Sequence, residues 1–436
     1  MLALSLEVLL LASPATLHEQ AFRLERAGEA VASVRASCER CDWGARGREG
    51  AVLVLSVDGS ESQRVVLTRG ARGDYRVLLG ALPAGEHRLA IAVDERHSAR
   101  GTGRVRVELV GIEAVAEGEP GHETLAHAPI VHTRKGSLRR FSDVPLVAWV
   151  ETHAAGDGGR ELRYSIVFSH EDGGTPLDRL MATWGRATDV ELVYEVELDA
   201  SGRVRRAGYQ GKDHVMKPFA GRREGSHPVL YVVTKNNMLS DRGPGTPRVA
   251  PAPVAFSLDG VSREAVMDAH AWTYRVSGQE VRREGRVRAD ARPGSGRIPD
   301  PRRFAYLEGC GSVSETRLAF EVAVPGESGD VEWHASDGGR PDFRVARDGC
   351  FRAAVALPEG VSVSEVRALR LRAHTRPPRR GERPLPPGTG SARIDRINLL
   401  FGLDADDRPE PSVLRWTEGA FLEPDGRPME LRVWPD

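Results

Sequence analysis

Lysine is nearly missing from this chain: among 436 residues only Lys135, Lys212, Lys217 and Lys235 carry an ammonium side chain. The positive charge is therefore arginine. Lys+Arg (61) balances Asp+Glu (62), for a formal net charge of −1. The arginines are scattered among acidic residues, so there is neither a basic field for nucleic acid nor an acidic tail. Aromatic residues make up only 6%. Trp43, Trp149, Trp184, Trp272, Trp333, Trp416 and Trp434 are dispersed, mostly inside strand-like patterns, and form no stripe for stacking on sugars. Beyond residues 1–15 no apolar run is long enough to cross a bilayer, so no transmembrane span is expected. The chain has no G-x-S-x-G, no H-E-x-x-H, no P-loop and no G-x-G-x-x-G opening a helix, which removes the familiar nucleophile, zinc-protease and nucleotide sites. No long helix and no internal repeat is legible, and no pair of acids stands out for glycoside hydrolysis.

What is present begins with an apolar start. Residues 1–15 hold a short hydrophobic run followed by Ser13-Pro14-Ala15, the size and ending of a secretory signal peptide, although Glu7 interrupts the run and no Lys or Arg precedes it. The expected location is secreted or periplasmic. The cysteines agree with export. Cys38 and Cys41 form a C-x-x-C, and Cys310 and Cys350 are a second pair further on. An even count in an exported chain favours two disulfides, with a four-cysteine zinc site or free buried thiols as alternatives.

The organisation reads as all-β and multidomain. Residues 20–112 show period-two alternation with turn signals such as Asp58-Gly59 and Pro83-Ala84-Gly85, the pattern of an antiparallel sandwich. Residues 113–120 read as a linker. A central β-sandwich is expected over 121–255, with one short helix across 176–184 where Leu177, Leu180, Met181 and Trp184 recur at helical spacing. Residues 242–253, rich in Pro and Gly, read as a linker or long loop. A C-terminal β-sandwich is expected over 256–436, with an exposed loop at 376–390.

Chemistry concentrates in the central unit, which holds His122, His127, His132, His153, His170, His214 and His227 and all four lysines. Ser169-His170-Glu171-Asp172-Gly173-Gly174 sets an imidazole and two carboxylates beside a bend after a strand. Such a loop offers nitrogen and oxygen ligands to a metal, or is a polar turn. In 189–198 strict alternation puts Asp189, Glu191, Val193, Glu195 and Glu197 on one face, which calls for a cation, for arginine partners or for solvent. The series His122, His127, His132 alternates faces across a strand and does not make a joint metal site.

The order Asp189-x-Glu191, then Tyr209-Gln210, then Gly225-x-His227-Pro228-Val229-x-Tyr231 resembles the core of two related secreted β-sandwich groups, the necrosis-inducing (NLP) proteins and the Vps62-like family. The likeness covers roughly 140–240. It implies that Asp189 and Glu191 match acidic positions that hold a divalent cation in the necrosis-inducing group. Where that group reads Gly-His-Arg-His-Asp-Trp-Glu, this chain has Gly185-Arg186-Ala187-Thr188-Asp189-Val190-Glu191. Both histidines and the tryptophan are replaced, which argues against membrane lysis. As a whole the chain also resembles uncharacterised secreted bacterial proteins.

The expected fold is an immunoglobulin-like N-terminal sandwich followed by central and C-terminal β-sandwich units; the phrase Leu82-Pro83-Ala84-Gly85-Glu86-His87 resembles a turn of extracellular immunoglobulin-like domains. The expected function is an exported, non-catalytic binding or cell-envelope surface protein with an extracellular or envelope ligand and no nucleic acid. The alternative is a metal-dependent hydrolase or lipid-active protein. Its metal ligands would be His170, Glu171, Asp172, Asp189, Glu191 and His227, its cofactor a divalent cation (calcium or magnesium). No catalytic residue is assigned.

Overall fold

The computed structural model describes residues 16–70, 72–326 and 329–433. The signal-like segment 1–15 and Trp434 lie outside the described residues. The protein is all-β, built from mainly antiparallel sheets stacked as sandwiches. No helix among the described residues is long and apolar enough to cross a membrane.

The N-terminal sandwich pairs a four-stranded sheet, in the order Thr16–Leu24, Gly85–Val93, Val52–Val57, Ser60–Val66, with a three-stranded sheet, Arg72–Leu82, Gly28–Cys38, Val105–Ala116. The Asp58-Gly59 signal works as expected. Val57 pairs with Ser60, and both turn residues have positive φ (51° and 79°), which suits the right-handed twist of the flanking strands. Inward residues of the two sheets, among them Ala32, Val34, Leu53, Leu55, Leu89 and Ile91, form one buried core. The expected linker at 113–120 is partly strand, since Val105–Ala116 stays paired with Gly28–Cys38 along its length.

The central unit stacks a six-stranded sheet against a five-stranded one. The larger runs Met216–Pro218, Val204–Gln210, Asp189–Leu198, Arg160–Phe168, Pro145–Ala154, Val254–Ala255. In the smaller, Ile130–His132 lies parallel to His227–Val232. Leu162, Tyr164, Ile166 and Phe168 supply one inner face of the core. The strict alternation expected along 189–198 fails at one point. The register between Arg160–Phe168 and Asp189–Leu198 slips between Tyr164 and Ser165, leaving Val193 as the extra residue of a bulge. A bulge flips every later side chain to the other face. Asp189 and Glu191 therefore face inward with Phe168 and Ile166. Glu195 and Glu197 face outward, where Arg206 lies 4.0 Å and 3.5 Å away. The expected row of four carboxylates on one face is thus two separate pairs.

The segment 242–253 is not a free linker. Arg248–Val249 pairs with Ile130–His132, and Leu78 N donates to Ala250 O at 2.9 Å, which ties the central unit to the N-terminal sandwich. The C-terminal sandwich has two four-stranded sheets, Gly349–Ala356, Phe304–Ser314, Ser391–Phe401, Ala420–Leu422 and Val331–Ala335, Thr316–Pro325, Ala368–Thr375, Met429–Arg432. Phe320 and Phe351 stack in its core with ring centres 5.5 Å apart. The chain closes two disulfides, Cys38–Cys41 and Cys310–Cys350. In the loop 376–390 nearly every residue is exposed, while Arg376 itself is buried.

The short helix expected at 176–184 is present as Leu177–Trp184. A second helix, Trp272–Arg283, has no apolar stripe in the sequence. Its buried residues are Thr273, Tyr274, Val276, Ser277, Gly278, Glu280 and Val281, a mixed set that hydrophobic periodicity does not detect.

Candidate functional site

Three chain segments meet at one end of the central sandwich. The first is the start of strand Asp189–Leu198. Gly185, at φ 57°, ends helix Leu177–Trp184 and turns the chain toward that strand. A Cβ on Gly185 would lie 2.6 Å from Arg352 Cγ and 2.9 Å from Ala353 O, so glycine lets the helix end press onto the C-terminal sandwich. The second segment is the bend after Phe168. Glu171 Oε1 accepts from Thr175 N at 2.6 Å. A Cβ on Gly174 would lie 1.9 Å from that carboxylate oxygen, so Gly174 is what allows the carboxylate to fold over its own loop. The third is the end of strand Val204–Gln210, which brings Gln210 and His214.

Together they line a cleft of about 480 Å³ whose walls include Glu171, Asp189, Glu191, Gln210, His214, Trp184, Arg186 and Arg263. Gln210 Nε2 donates to Glu191 Oε2 at 2.5 Å, and His214 Nδ1 is 3.7 Å from the same oxygen. Asn237 Nδ2 donates to Asp189 Oδ2 at 2.9 Å. Arg186 is committed to Glu264 at 2.9 Å and lies 3.7 Å from Asp189. Arg263 has no carboxylate partner among the described residues, and its buried Nη2 makes no hydrogen bond.

The electrostatics follow from burial. Desolvation, reinforced by the neighbouring Glu191, pushes the Asp189 carboxyl well above the usual range. Desolvation also raises Glu171, with Glu191 adding repulsion against the backbone donor at Thr175. Glu191 in turn raises the His214 imidazole.

The six residues expected to share a metal do not converge. Glu171, Asp189 and Glu191 line the cleft. His170 is buried behind it with Nδ1 2.6 Å from Ala187 O, and only its backbone carbonyl takes part, accepting from Asn237 Nδ2 at 3.3 Å. Asp172 points the opposite way and is held by Ser142, Arg134 and Arg140. Burial opposes its ionisation, but Ser142 and Arg134 outweigh it and bring its carboxyl down to about 2. His227 lies at the boundary with the N-terminal sandwich, 2.9 Å from Glu29. Among the described residues no three His, Cys, Asp or Glu side chains form a group that could hold a metal ion. The histidine series does not lie along one strand: His122 opens helix His122–Ala126 and lines a pocket with His127, whereas His132 ends strand Ile130–His132 and stacks on Tyr231 at 4.7 Å.

Sequence reasoning overlooked Gln210, His214, Arg186 and Arg263 as site residues. Gln210 and Arg186 stand inside the motifs compared above, but nothing in the spacing of His214 or Arg263 marks either one.

No family model matches the chain, and no curated protein matches it. Among solved structures, the crystal structure of DesR, a beta-glucosidase from Streptomyces venezuelae in complex with D-glucose, aligns with 48% of this chain at 10% identity and a TM-score of 0.15. The alignment spans 44% of that chain, and a likeness of this size carries no argument.

Proposed function

We propose that this is an exported, non-catalytic binding protein whose central cleft receives a small zwitterion, with an ammonium group at Glu171 and Glu191 and a carboxylate at Arg263. The observation that carries the reading is the shared cleft itself: buried carboxylates on one side and an arginine without a carboxylate partner on another. Arg263 is half-buried with its Nη2 buried and unbonded, and a guanidinium fork suits a bidentate carboxylate. Export is supported by the two disulfides, which persist in oxidising compartments. The metal-dependent alternative has no three-residue ligand set among the described residues to start from.

The test is a thermal-shift screen of the standard L-amino acids, repeated with their decarboxylated amines and their desamino acids. A ligand that binds only the native state raises the melting temperature. At least one amino acid raises it, neither truncated analogue does, and both Glu191→Gln and Arg263→Met abolish the effect. No response to any amino acid, or a response that survives both substitutions, overturns the reading.

A further inference from the structure

A second cavity, of about 410 Å³, opens where the N-terminal sandwich meets the central unit and the helix Trp272–Arg283. It shares no lining residue with the cleft described above. Its volume is in the range of small-molecule sites. Leu146, Val147, Ala148 and Val254 from the central unit give it an apolar floor, and Tyr75 and Trp272 add aromatic walls. A smaller cavity of about 70 Å³ adjoins it and shares Arg69, Tyr75 and Trp272.

Arg69 decides its chemistry. The guanidinium lies over the Trp272 ring, 3.9 Å from its centre, and 5.3 Å from the centre of Tyr75. Stacking fixes the plane of the group without using its N–H donors. The other arginines on the rim are already neutralised. Arg35 is forked onto Asp74 at 2.6 Å and 3.0 Å, and Arg76 donates to Glu113 at 3.1 Å. Arg69 has no carboxylate partner among the described residues, and its buried Nε has no hydrogen bond. Burial lowers its affinity for its proton, and Tyr75 and Asp74 offset this only in part. His270, on the same wall, is pushed toward the neutral form by burial and by Arg69. A desolvated, oriented, unpaired guanidinium above an apolar floor is the complement of an anionic head on a flat apolar body.

We propose that this cavity binds a small planar organic carboxylate, with the carboxylate on Arg69 and the ring system between Trp272 and the Leu146–Val254 floor. The inference does not rest on the zwitterion reading of the central cleft, and each can fail alone.

The experiment is calorimetric titration of the full chain with 2-naphthoate and with 2-naphthamide, which has the same ring but no charge. Wild-type protein binds the acid about tenfold or more tightly than the amide, the range set by a charge-assisted hydrogen bond in a partly buried site. Arg69→Met, which keeps the stacked volume, removes that preference. Its melting temperature is measured beside the wild type to confirm folding. Tryptophan fluorescence is quenched by the acid in the wild type, and the quenching is lost in Trp272→Phe. Equal binding of acid and amide by the wild type, no binding of either, or a charge preference that persists in Arg69→Met overturns the proposal.

Discussion

Glu29 and His227 meet across the boundary between the N-terminal sandwich and the central unit, with Oε2 2.9 Å from Nε2 and side chains only 4% and 2% exposed. The other ring nitrogen of His227 lies 3.0 Å from Ala128 O, so both nitrogens face acceptors. A buried pair of this kind is costly to break because the surviving partner stays dry and unpaired. Glu29→Ala therefore destabilises the protein by about 3–5 kcal/mol in urea titration. The double variant Glu29→Leu with His227→Leu recovers much of the loss. A single-variant loss under about 1 kcal/mol would place the pair among ordinary surface contacts.

A second junction responds to pH. Trp43 Nε1 donates to Glu280 Oε2 at 3.0 Å, and Asp143 N donates to Glu280 Oε1 at 3.4 Å. Burial pushes the Glu280 carboxyl up to about 8. Burial together with Asp172 pushes Asp143 up to about 9. Both groups hold protons in the folded state that an unfolded chain releases above about pH 4. Their stabilisation is complete below that pH and is lost as pH rises through 8 to 9. Denaturant titrations from pH 5 to 9 show stability falling with pH, and Glu280→Gln makes the slope shallower. Asp172, held at about 2, acts in the opposite sense and loses its contribution only in strong acid. An unchanged slope in Glu280→Gln would show that the carboxyl is ionised in the fold.

Arg352 is fully buried, and its two terminal nitrogens are matched while its Nε makes no hydrogen bond. Nη1 reaches Asp268 at 2.9 Å and Tyr274 Oη at 2.6 Å, and Nη2 reaches Glu308 at 2.8 Å. Arg352→Met leaves the buried Glu308 carboxylate without its cation and costs about 3–5 kcal/mol. Restoring charge balance with Glu308→Gln in the same chain returns part of that loss. Additive losses in the double variant would contradict the coupling.

The disulfides differ in what they restrain. Cys310 and Cys350 sit opposite each other in paired strands, 40 residues apart in sequence, whereas Cys38 and Cys41 are 3 apart. By loop entropy, replacing the first pair with alanine costs about 3–4 kcal/mol and replacing the second about 2 kcal/mol. Equal losses would show that strain or local packing, and not chain entropy, governs both.

Much of the architecture was legible because a half-buried strand writes its burial directly into alternation. Val52–Val57 and Ser60–Val66, with Asp58-Gly59 between them, are the clearest case, and helix Leu177–Trp184 shows the same legibility at helical spacing. Two elements were hidden for physical reasons. Helix Trp272–Arg283 buries Thr273, Ser277 and Glu280 beside Tyr274, Val276 and Val281, so its inner face is mixed and not an apolar stripe. The bulge at Val193 changes which carboxylates share a face, and alternation cannot reveal a one-residue slip. The candidate site was half legible. Glu171, Asp189 and Glu191 stood out by charge. His227 belongs to a partner 198 residues away, a relationship no local spacing encodes.

The helix Trp272–Arg283 has a consequence for how the molecule comes apart. Through Glu280 and Arg283 it holds Trp43 of the N-terminal sandwich, Arg283 also holds Phe141 O in the central unit, and Arg282 grips Asp407 in the C-terminal part. One rod of 12 residues is thus shared by three sandwiches. None of them can shed its grip on the rod without stranding buried polar groups in the other two. Heating consequently disperses the chain as a single cooperative block, with calorimetric and van't Hoff enthalpies in agreement, and not as three separate melting steps.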